Sequence, residues 1–412
     1  MADGDFRRFW WARTTDALGT QTSGLALPLL LLALGTSPAA VGVVAGVSAG
    51  CGILVAPFAA VLADRGARRR VMVYAALVSA GAMASVAVGT LLGEPSLWQL
   101  FAAVIVERVA TSCHEAASAG TVAVLVPAGR YPWAVSRLQA GEQAGLVVGP
   151  ALGGALFQLG RWLPFLADAL SYLISALCVA SMRSDLRPRR DGAPEPVRPP
   201  APAVGLADAG RGFLRELGAG AAFARREPFL RFVVLWSAVM SLLLAALSYG
   251  TIFTLQDAGA GGGPVGAVLA VAGAAGLAGA LLAPRLAGAL PGARLVVAVS
   301  WLMVAPTLGL ALTTRVWAYA LLFGAISLLL PAAAIVLQSR AIEVTPQELQ
   351  SRTGTVLATA TGLAAAAGPV AAGGLAGAAG TGGTALCCAG ALTVLALWST
   401  TRAPAVLGKE SA

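Results

Sequence analysis

The sequence is poor in charged residues. Only 11% of its 412 residues are Asp, Glu, Lys or Arg, and it contains a single histidine. A typical globular domain carries about 25% charged residues. Hydrophobic residues make up 58% of the chain, and the mean hydropathy is +0.79. This composition excludes an ordinary soluble domain and predicts an integral membrane protein.

Sequence signatures of catalysis and metal binding are also missing. There is no H-E-x-x-H and no G-x-S-x-G, and the five cysteines fall in apolar runs without metal-ligand spacing. We therefore expect no metal site, no cofactor and no enzymatic activity. The net charge of +9 is not gathered on one soluble domain, so no nucleic-acid partner is expected either.

The chain contains about twelve apolar runs, each long enough to cross a bilayer as a helix of about 20 residues. Six runs fall on each side of a charged, proline-rich stretch. The predicted fold is therefore an all-α integral membrane protein with about 12 transmembrane helices. The predicted spans are 11–34, 40–63, 71–93, 97–120, 134–158, 162–182, 229–254, 264–284, 294–314, 317–339, 351–377 and 381–401.

The two halves of the chain resemble each other. Gly149 begins "GPALGGAL" and Gly368 begins "GPVAAGGL", 219 positions later, and Pro127 and Pro346 are separated by the same interval. Such duplication is typical of secondary transporters, so we predict two pseudo-symmetric six-helix bundles. The predicted parts are a bundle at 1–182, a cytoplasmic linker with a short amphipathic helix at 183–228, and a bundle at 229–412.

Basic residues lie almost entirely on one side of the predicted spans. If the N-terminus is inside, Arg161 and Arg315 are the only outward-facing arginines. The positive-inside rule favours this orientation. We therefore expect a multi-pass protein of the cytoplasmic (inner) membrane with both termini cytoplasmic.

Several stretches resemble the major facilitator superfamily. "ADRGARRRV" at 63–71 resembles the family's loop between spans two and three, although Ala60 and Ala67 replace its usual glycines, and "GLVVGPALGG" at 145–154 resembles the span-five signature of its antiporters. "FRRFWWARTTDALG" and "PFLADALSYLISAL" look most similar to the drug:proton antiporter branch that includes macrolide and enterobactin exporters.

This resemblance implies two six-helix bundles around a central cavity, alternating access and exchange of substrate for protons. It also implies that Asp64, Arg65, Arg68 and Arg69 form a cytoplasmic gate, in which the aspartate contacts the end of helix eleven. Asp64 opposes the dipole of its own helix, so it should have a partner elsewhere. We expect that partner near 350–353.

Ionisable residues inside a span are costly and are functional candidates by default. Glu107 lies about 15 Å from the outer end of span four, near the bilayer midplane. The proton-coupling candidates are Glu107, its neighbour Arg108, Glu142 in span five and His114. A purely structural ion-pair role for Glu107 and Arg108, and a satisfied polar role for His114, are the alternatives.

Other residues are candidates for substrate contact or for helix movement. Asp16 and Gln21 in span one, with Trp236, Phe253 and Trp301, are expected in a substrate cavity, although packing explains the aromatics equally well. Proline removes a helical hydrogen bond, so Gly-Pro pairs predict kinks with close helix contacts, either moving or static. The kink residues are Gly145, Gly149, Pro150, Gly153, Gly368 and Pro369.

The leading hypothesis is proton-coupled efflux of an amphiphilic small molecule, such as a drug, an antibiotic or a self-made metabolite. A siderophore exporter is the alternative within transport. A membrane receptor or membrane enzyme is less favoured because there is no sizeable soluble domain and no catalytic motif. The expected partners are the lipid bilayer, a small-molecule substrate and protons, and we expect a monomer.

Overall fold

The computed structural model describes residues 2–64, 68–93, 95–184, 186 and 206–407. Every regular element in these ranges is helical, so the predicted all-α fold is confirmed. The helices are α1 (Ala2–Ala33), α2 (Pro38–Asp64), α3 (Arg68–Leu92), α4 (Leu97–Ala119), α5 (Val122–Leu125), α6 (Tyr131–Leu159), α7 (Leu163–Ala180), α8 (Leu206–Arg226), α9 (Pro228–Asp257), α10 (Gly262–Ala289), α11 (Gly292–Leu302), α12 (Val304–Ala311), α13 (Val316–Val344), α14 (Gln347–Ala379) and α15 (Thr381–Leu407).

The predicted spans coincide with these helices, except that the span at 294–314 is divided at Met303 into α11 and α12. Pro306 explains the break. The backbone nitrogen of Pro306 carries no hydrogen, so it cannot donate to the carbonyl of Leu302, four residues earlier. The proline ring also clashes with that carbonyl. The break lies within the predicted span, which the structure still contains as one span at Gly292–Ala311.

Nine membrane spans can be recognised by length and apolarity in the described part of the chain, with α11 and α12 counted as one. The three remaining long helices of the predicted twelve are α1, α4 and α6. They carry the candidate acids Asp16, Glu107 and Glu142 respectively. Each predicted span that fails the apolarity criterion therefore carries a candidate acid, although α7, which meets the criterion, carries Asp168.

The chain divides into two compact units. Unit 1 comprises Met1–Ser23, Cys51–Gly149 and Gly160–Arg215, and unit 2 comprises Gly24–Gly50, Pro150–Leu159 and Glu216–Ala412. Four helices, α1, α2, α6 and α8, contribute a segment to each unit. The sequence-based division of the chain at residues 182 and 228 stays a prediction.

An apolar core in unit 1 surrounds the first turns of α1, including Phe6, Phe9, Met72 and Met182. Asp5 lies beside this core, before the predicted first span, and is 2% exposed. Its carboxylate accepts hydrogen bonds from the backbone N–H groups of Arg183 and Ser184, from the Ser184 hydroxyl and from Arg8. Burial raises the pKa of Asp5, but these hydrogen bonds outweigh it and lower the pKa below its ordinary value.

Unit 2 contains helix pairs that meet backbone to backbone. The first half of α2 packs on α14, where a Cβ atom on Gly42 would overlap the carbonyl of Pro369. The end of α6 packs on α10, where a Cβ atom on Gly154 would overlap the carbonyl of Gly262. Small residues at such positions allow close packing of helices in lipid.

Candidate functional site

Glu107 is a buried carboxylate on α4 and is 7% exposed. Its Oε1 atom accepts hydrogen bonds from the hydroxyls of Tyr172 on α7 and Thr111 on α4, each at 2.7 Å. The Tyr172 hydroxyl lies 3.1 Å from Thr20 Oγ1 of α1. Among the residues that the structure describes, no basic side chain forms an ion pair with Glu107. The hydrogen-bond partners of this carboxylate in the described part of the chain are therefore neutral hydroxyls from α4 and α7.

Asp168 on α7 is a second buried acid in unit 1 and is 0% exposed. Its Oδ2 atom accepts a 2.5 Å hydrogen bond from Ser23 of α1, and its Oδ1 atom lies 3.3 Å from the Ser171 hydroxyl. A Cβ atom on Gly19 would lie only 2.6 Å from Asp168 Oδ1. The missing side chain at Gly19 lets α1 approach closely enough for this hydrogen bond.

Asp16 lies on α1, one turn before Thr20, and is 7% exposed. It experiences the charges of Arg13, Glu107, Arg108 and Glu142. Asp16 therefore lies close enough to Glu107 and Glu142 for their charges to act on it. Gln21, the other polar candidate on α1, packs against Gly149 of α6.

Glu142 on α6 is in a different environment from Glu107. It forms an ion pair with Arg13 of α1, with 2.5 Å between Oε1 and the guanidinium nitrogen. The Glu142 side chain is 39% exposed and the Arg13 side chain 19%. Protonation of Glu142 would break this ion pair, so its geometry favours an α1–α6 tether.

The structure places Arg108 against α2 and His114 against α3. The stem of Arg108 packs at Gly52 of α2, where a Cβ atom would lie 2.8 Å from Arg108 Cδ. His114 is 4% exposed, and its Nδ1 atom lies 3.1 Å from the carbonyl oxygen of Met72 on α3. Within the described part of the chain, His114 Nε2 has no hydrogen-bond partner. This arrangement suits a neutral imidazole that donates from Nδ1.

Two of the predicted gate residues bind backbone carbonyls within unit 1. Arg68 donates to the carbonyl of Gly120 at 2.9 Å, and Arg69 donates to that of Ser184 at 2.6 Å. The first hydrogen bond ties α3 to the end of α4, and the second ties it to the segment that follows α7. Arg65 and the side chain of Asp64 lie outside the described residues.

The predicted kink residues lie in α6 and α14, which both continue as helices through Pro150 and Pro369. Gly149 packs against Gln21 of α1, and Gly368 packs against Ala245 of α9. Gly149 thus contacts α1 and Gly368 contacts α9, which are the first predicted spans of the N-terminal and C-terminal halves of the chain. Gly145 contacts Ala17 of α1, and Gly153 is buried within α6.

The three candidate aromatic residues occupy different environments in unit 2. Trp236 is buried and donates to the Ser300 hydroxyl at 3.2 Å, and Phe253 is buried beside Tyr249. Trp301 is 40% exposed and donates to the Thr400 hydroxyl of α15 at 3.0 Å. Their place in a substrate cavity stays a prediction.

Sequence reasoning did not propose Tyr172, Ser23 or Arg13 as site residues. One signal could have found part of this set. Three helices repeat an acid followed four positions later by a hydroxyl, so that both lie on one helix face. The pairs are Asp16 and Thr20, Glu107 and Thr111, and Asp168 and Tyr172.

Comparison with known proteins agrees with this architecture. The structure is similar to a bacterial homologue of the human lysosomal transporter Spinster in an inward-facing, unoccupied conformation (TM-score 0.75, 14% identity, 99% of this chain and 98% of that chain). It is also similar to the nucleoside transporter NupG (0.72, 12%, 98% and 100%) and to a bacterial homologue of the iron transporter ferroportin (0.70, 14%, 97% and 98%). No curated protein sequence matches the chain.

The fold is that of a multi-pass α-helical membrane protein. The sequence model described as Major Facilitator Superfamily matches residues 9–292. The chain belongs to this superfamily, which confirms the family resemblance. It is a membrane protein that interacts with the lipid bilayer and carries a small-molecule substrate.

Proposed function

We propose that this transporter exports an amphiphilic small molecule in exchange for protons, and that Glu107 carries the proton. The observation that carries the proposal is the environment of Glu107, a buried carboxylate held by two neutral hydroxyls. Neither hydroxyl carries a charge, and among the described residues no basic side chain pairs with this carboxylate. Glu142, which is paired with Arg13, fits this role less well.

The substrate side of the proposal rests on the scarcity of buried charge in unit 2. Its described helices bury aromatic and aliphatic side chains together with serine and threonine hydroxyls. Apolar surfaces with a few polar groups suit amphiphilic ligands. The drug:proton antiporter resemblance of residues 6–182 favours the same substrate class.

Everted membrane vesicles test this proposal. Respiration acidifies the vesicle interior, and a dye reports proton efflux when drugs, antibiotics or siderophores are added. We expect at least one amphiphilic compound to cause proton efflux with the unaltered protein. Glu107→Gln should abolish it because the amide cannot exchange a proton, while thermal stabilisation by the compound should remain.

Glu115→Gln is the matched control. Glu115 lies two helical turns further along α4 and is exposed, so the control removes one carboxylate from the same helix without altering the hydroxyl cluster. It should retain proton efflux. Full coupling in Glu107→Gln, or substrate transport with no proton movement in the unaltered protein, would contradict the proposal.

A further inference from the structure

A groove of about 470 Å³ lies on unit 1 between α2, α3 and α4. Its lining is apolar apart from Arg70 and the hydroxyl of Tyr74. Several lining side chains are exposed on the outside of the helices, with Tyr74 at 65% and Val78 at 48%. The lining includes Leu62, Tyr74, Val78, Val106, Val109 and Cys113. A groove of this volume can accommodate part of a small amphiphile or of a lipid chain.

Arg70 differs from the two arginines that precede it. Arg68 and Arg69 donate to backbone carbonyls, whereas Arg70 has no hydrogen bond or ion pair with any residue that the structure describes. It is exposed on the first turn of α3, at the edge of the groove. An exposed guanidinium in this position can bind a phosphate through two parallel hydrogen bonds.

The depth of the groove matches one leaflet of a bilayer. Along α3 the lining runs from Arg70 to Val78, and along α4 it runs from Cys113 back to Ile105. Each stretch rises about 12 Å, compared with about 15 Å for half of the hydrocarbon core. In the orientation expected from the positive-inside rule, Arg70 lies at the cytoplasmic headgroup level and the groove extends toward the midplane.

We infer that this groove binds an anionic phospholipid of the cytoplasmic leaflet. The phosphate contacts Arg70, and one acyl chain lies along the apolar lining between α3 and α4. Arg70 supplies the charge complementarity, and the apolar lining continues from it to the depth that an acyl chain reaches. Basic pockets between helices on this side of a membrane are suited to anionic headgroups. The site does not depend on Glu107 or on the proposed proton coupling.

Native mass spectrometry of the purified full-length protein tests this inference. The protein is titrated with phosphatidylglycerol and with phosphatidylcholine that carries the same acyl chains. We expect one phosphatidylglycerol to bind about fivefold more tightly than phosphatidylcholine, the effect of one arginine near an anionic headgroup. Arg70→Gln should remove this preference, whereas Arg231→Gln, which removes an exposed arginine on α9, should retain it.

A second pair of variants tests the acyl chain. Val78→Trp fills the groove and should weaken both lipids, while Leu77→Trp, at an equally exposed position outside the lining, should not. The inference is overturned if Arg70→Gln keeps the preference or if both lipids bind the unaltered protein equally. It is also overturned if inorganic phosphate displaces the lipid. A dimer that Val78→Trp abolishes would overturn it as well, because a second copy of the chain would then occupy the groove.

Discussion

Unit 1 and unit 2 bury polar side chains of different chemistry. Unit 1 buries the ionisable residues Asp5, Asp16, Glu107, His114 and Asp168. In the described part of unit 2, the buried polar residues other than aromatics are all serines or threonines. The units also differ in how these groups are satisfied, because several acids of unit 1 accept hydrogen bonds from other helices.

The hydroxyls of unit 2 bond mainly within their own helix. Thr251 donates to the carbonyl of Leu247, and Thr307 donates to that of Met303, each four residues earlier. Glu107 and Asp168, in contrast, accept from residues that lie 65 and 145 positions away in the sequence. The polar contacts of unit 1 therefore bind helices together, and a change in the charge of one acid alters contacts between helices.

The largest effect on stability is expected for Asp168→Ala. The substitution removes the carboxylate that accepts the 2.5 Å hydrogen bond from Ser23, and it leaves that buried hydroxyl only the carbonyl of Thr20 at 3.3 Å, at a cost of about 2–3 kcal/mol. The thermal unfolding midpoint in detergent should fall by about 3 °C. The matched change in unit 2, Thr251→Val, should shift the unfolding midpoint by less than about 2 °C. Equal shifts in the two variants would contradict the difference between the units.

Tyr172→Phe should weaken proton-coupled transport about tenfold, because it removes one of two hydrogen bonds to the Glu107 carboxylate while keeping the ring. Tyr319→Phe is its counterpart in unit 2, where the hydroxyl donates to the carbonyl of Leu310 at 3.1 Å. That variant should transport normally. The transport activity of both variants is measured as the initial rate of proton efflux reported by the dye. A loss of similar size in Tyr319→Phe would contradict a specific role for the Glu107 cluster.

Asp5 provides a pH-dependent test of a structural acid in unit 1. Because its pKa is lowered in the folded protein, its ionised form stabilises the fold above its ordinary pKa of about 3.9. Asp5→Asn should cost about 1 kcal/mol at pH 7. Its difference in unfolding midpoint from the unaltered protein should shrink as the pH falls below about 4. If the difference in unfolding midpoint grew as the pH fell, the pKa of Asp5 would not be lowered by folding.

The smallest effect is expected for the ion pair of Arg13 and Glu142, which is partly exposed. A double-mutant cycle with Arg13→Gln and Glu142→Gln should give a coupling energy of about 0.5 kcal/mol or less. Transport should persist in Glu142→Gln. Loss of coupling as complete as in Glu107→Gln would move the proton site from α4 to α6.

The helices of this protein could be predicted from hydropathy because each span is a continuous local signal. The break at Met303 is also local, since Pro306 lies three residues beyond it. The environments of the acids could not be predicted in the same way. Glu107 and Glu142 look alike in sequence, but one accepts from Tyr172 and the other pairs with Arg13, and these partners lie 65 and 129 positions away.

The triple arginine shows the same limit. Composition explains Arg68, Arg69 and Arg70 together as a signal for membrane orientation. In the structure, Arg68 binds the carbonyl at the end of α4 and Arg69 binds a carbonyl in the segment after α7, whereas Arg70 borders the apolar groove. The three neighbouring arginines thus have different contacts, because successive side chains on α3 point in directions about 100° apart.

The most direct test of the central claim is the number of protons released when substrate binds. A compound identified in the vesicle assay is added to purified protein in weakly buffered detergent solution containing a pH indicator. If Glu107 exchanges its proton for substrate, the unaltered protein should release about one proton per bound molecule, and Glu107→Gln should bind the compound and release none. Equal proton release by both proteins would contradict the assignment of Glu107.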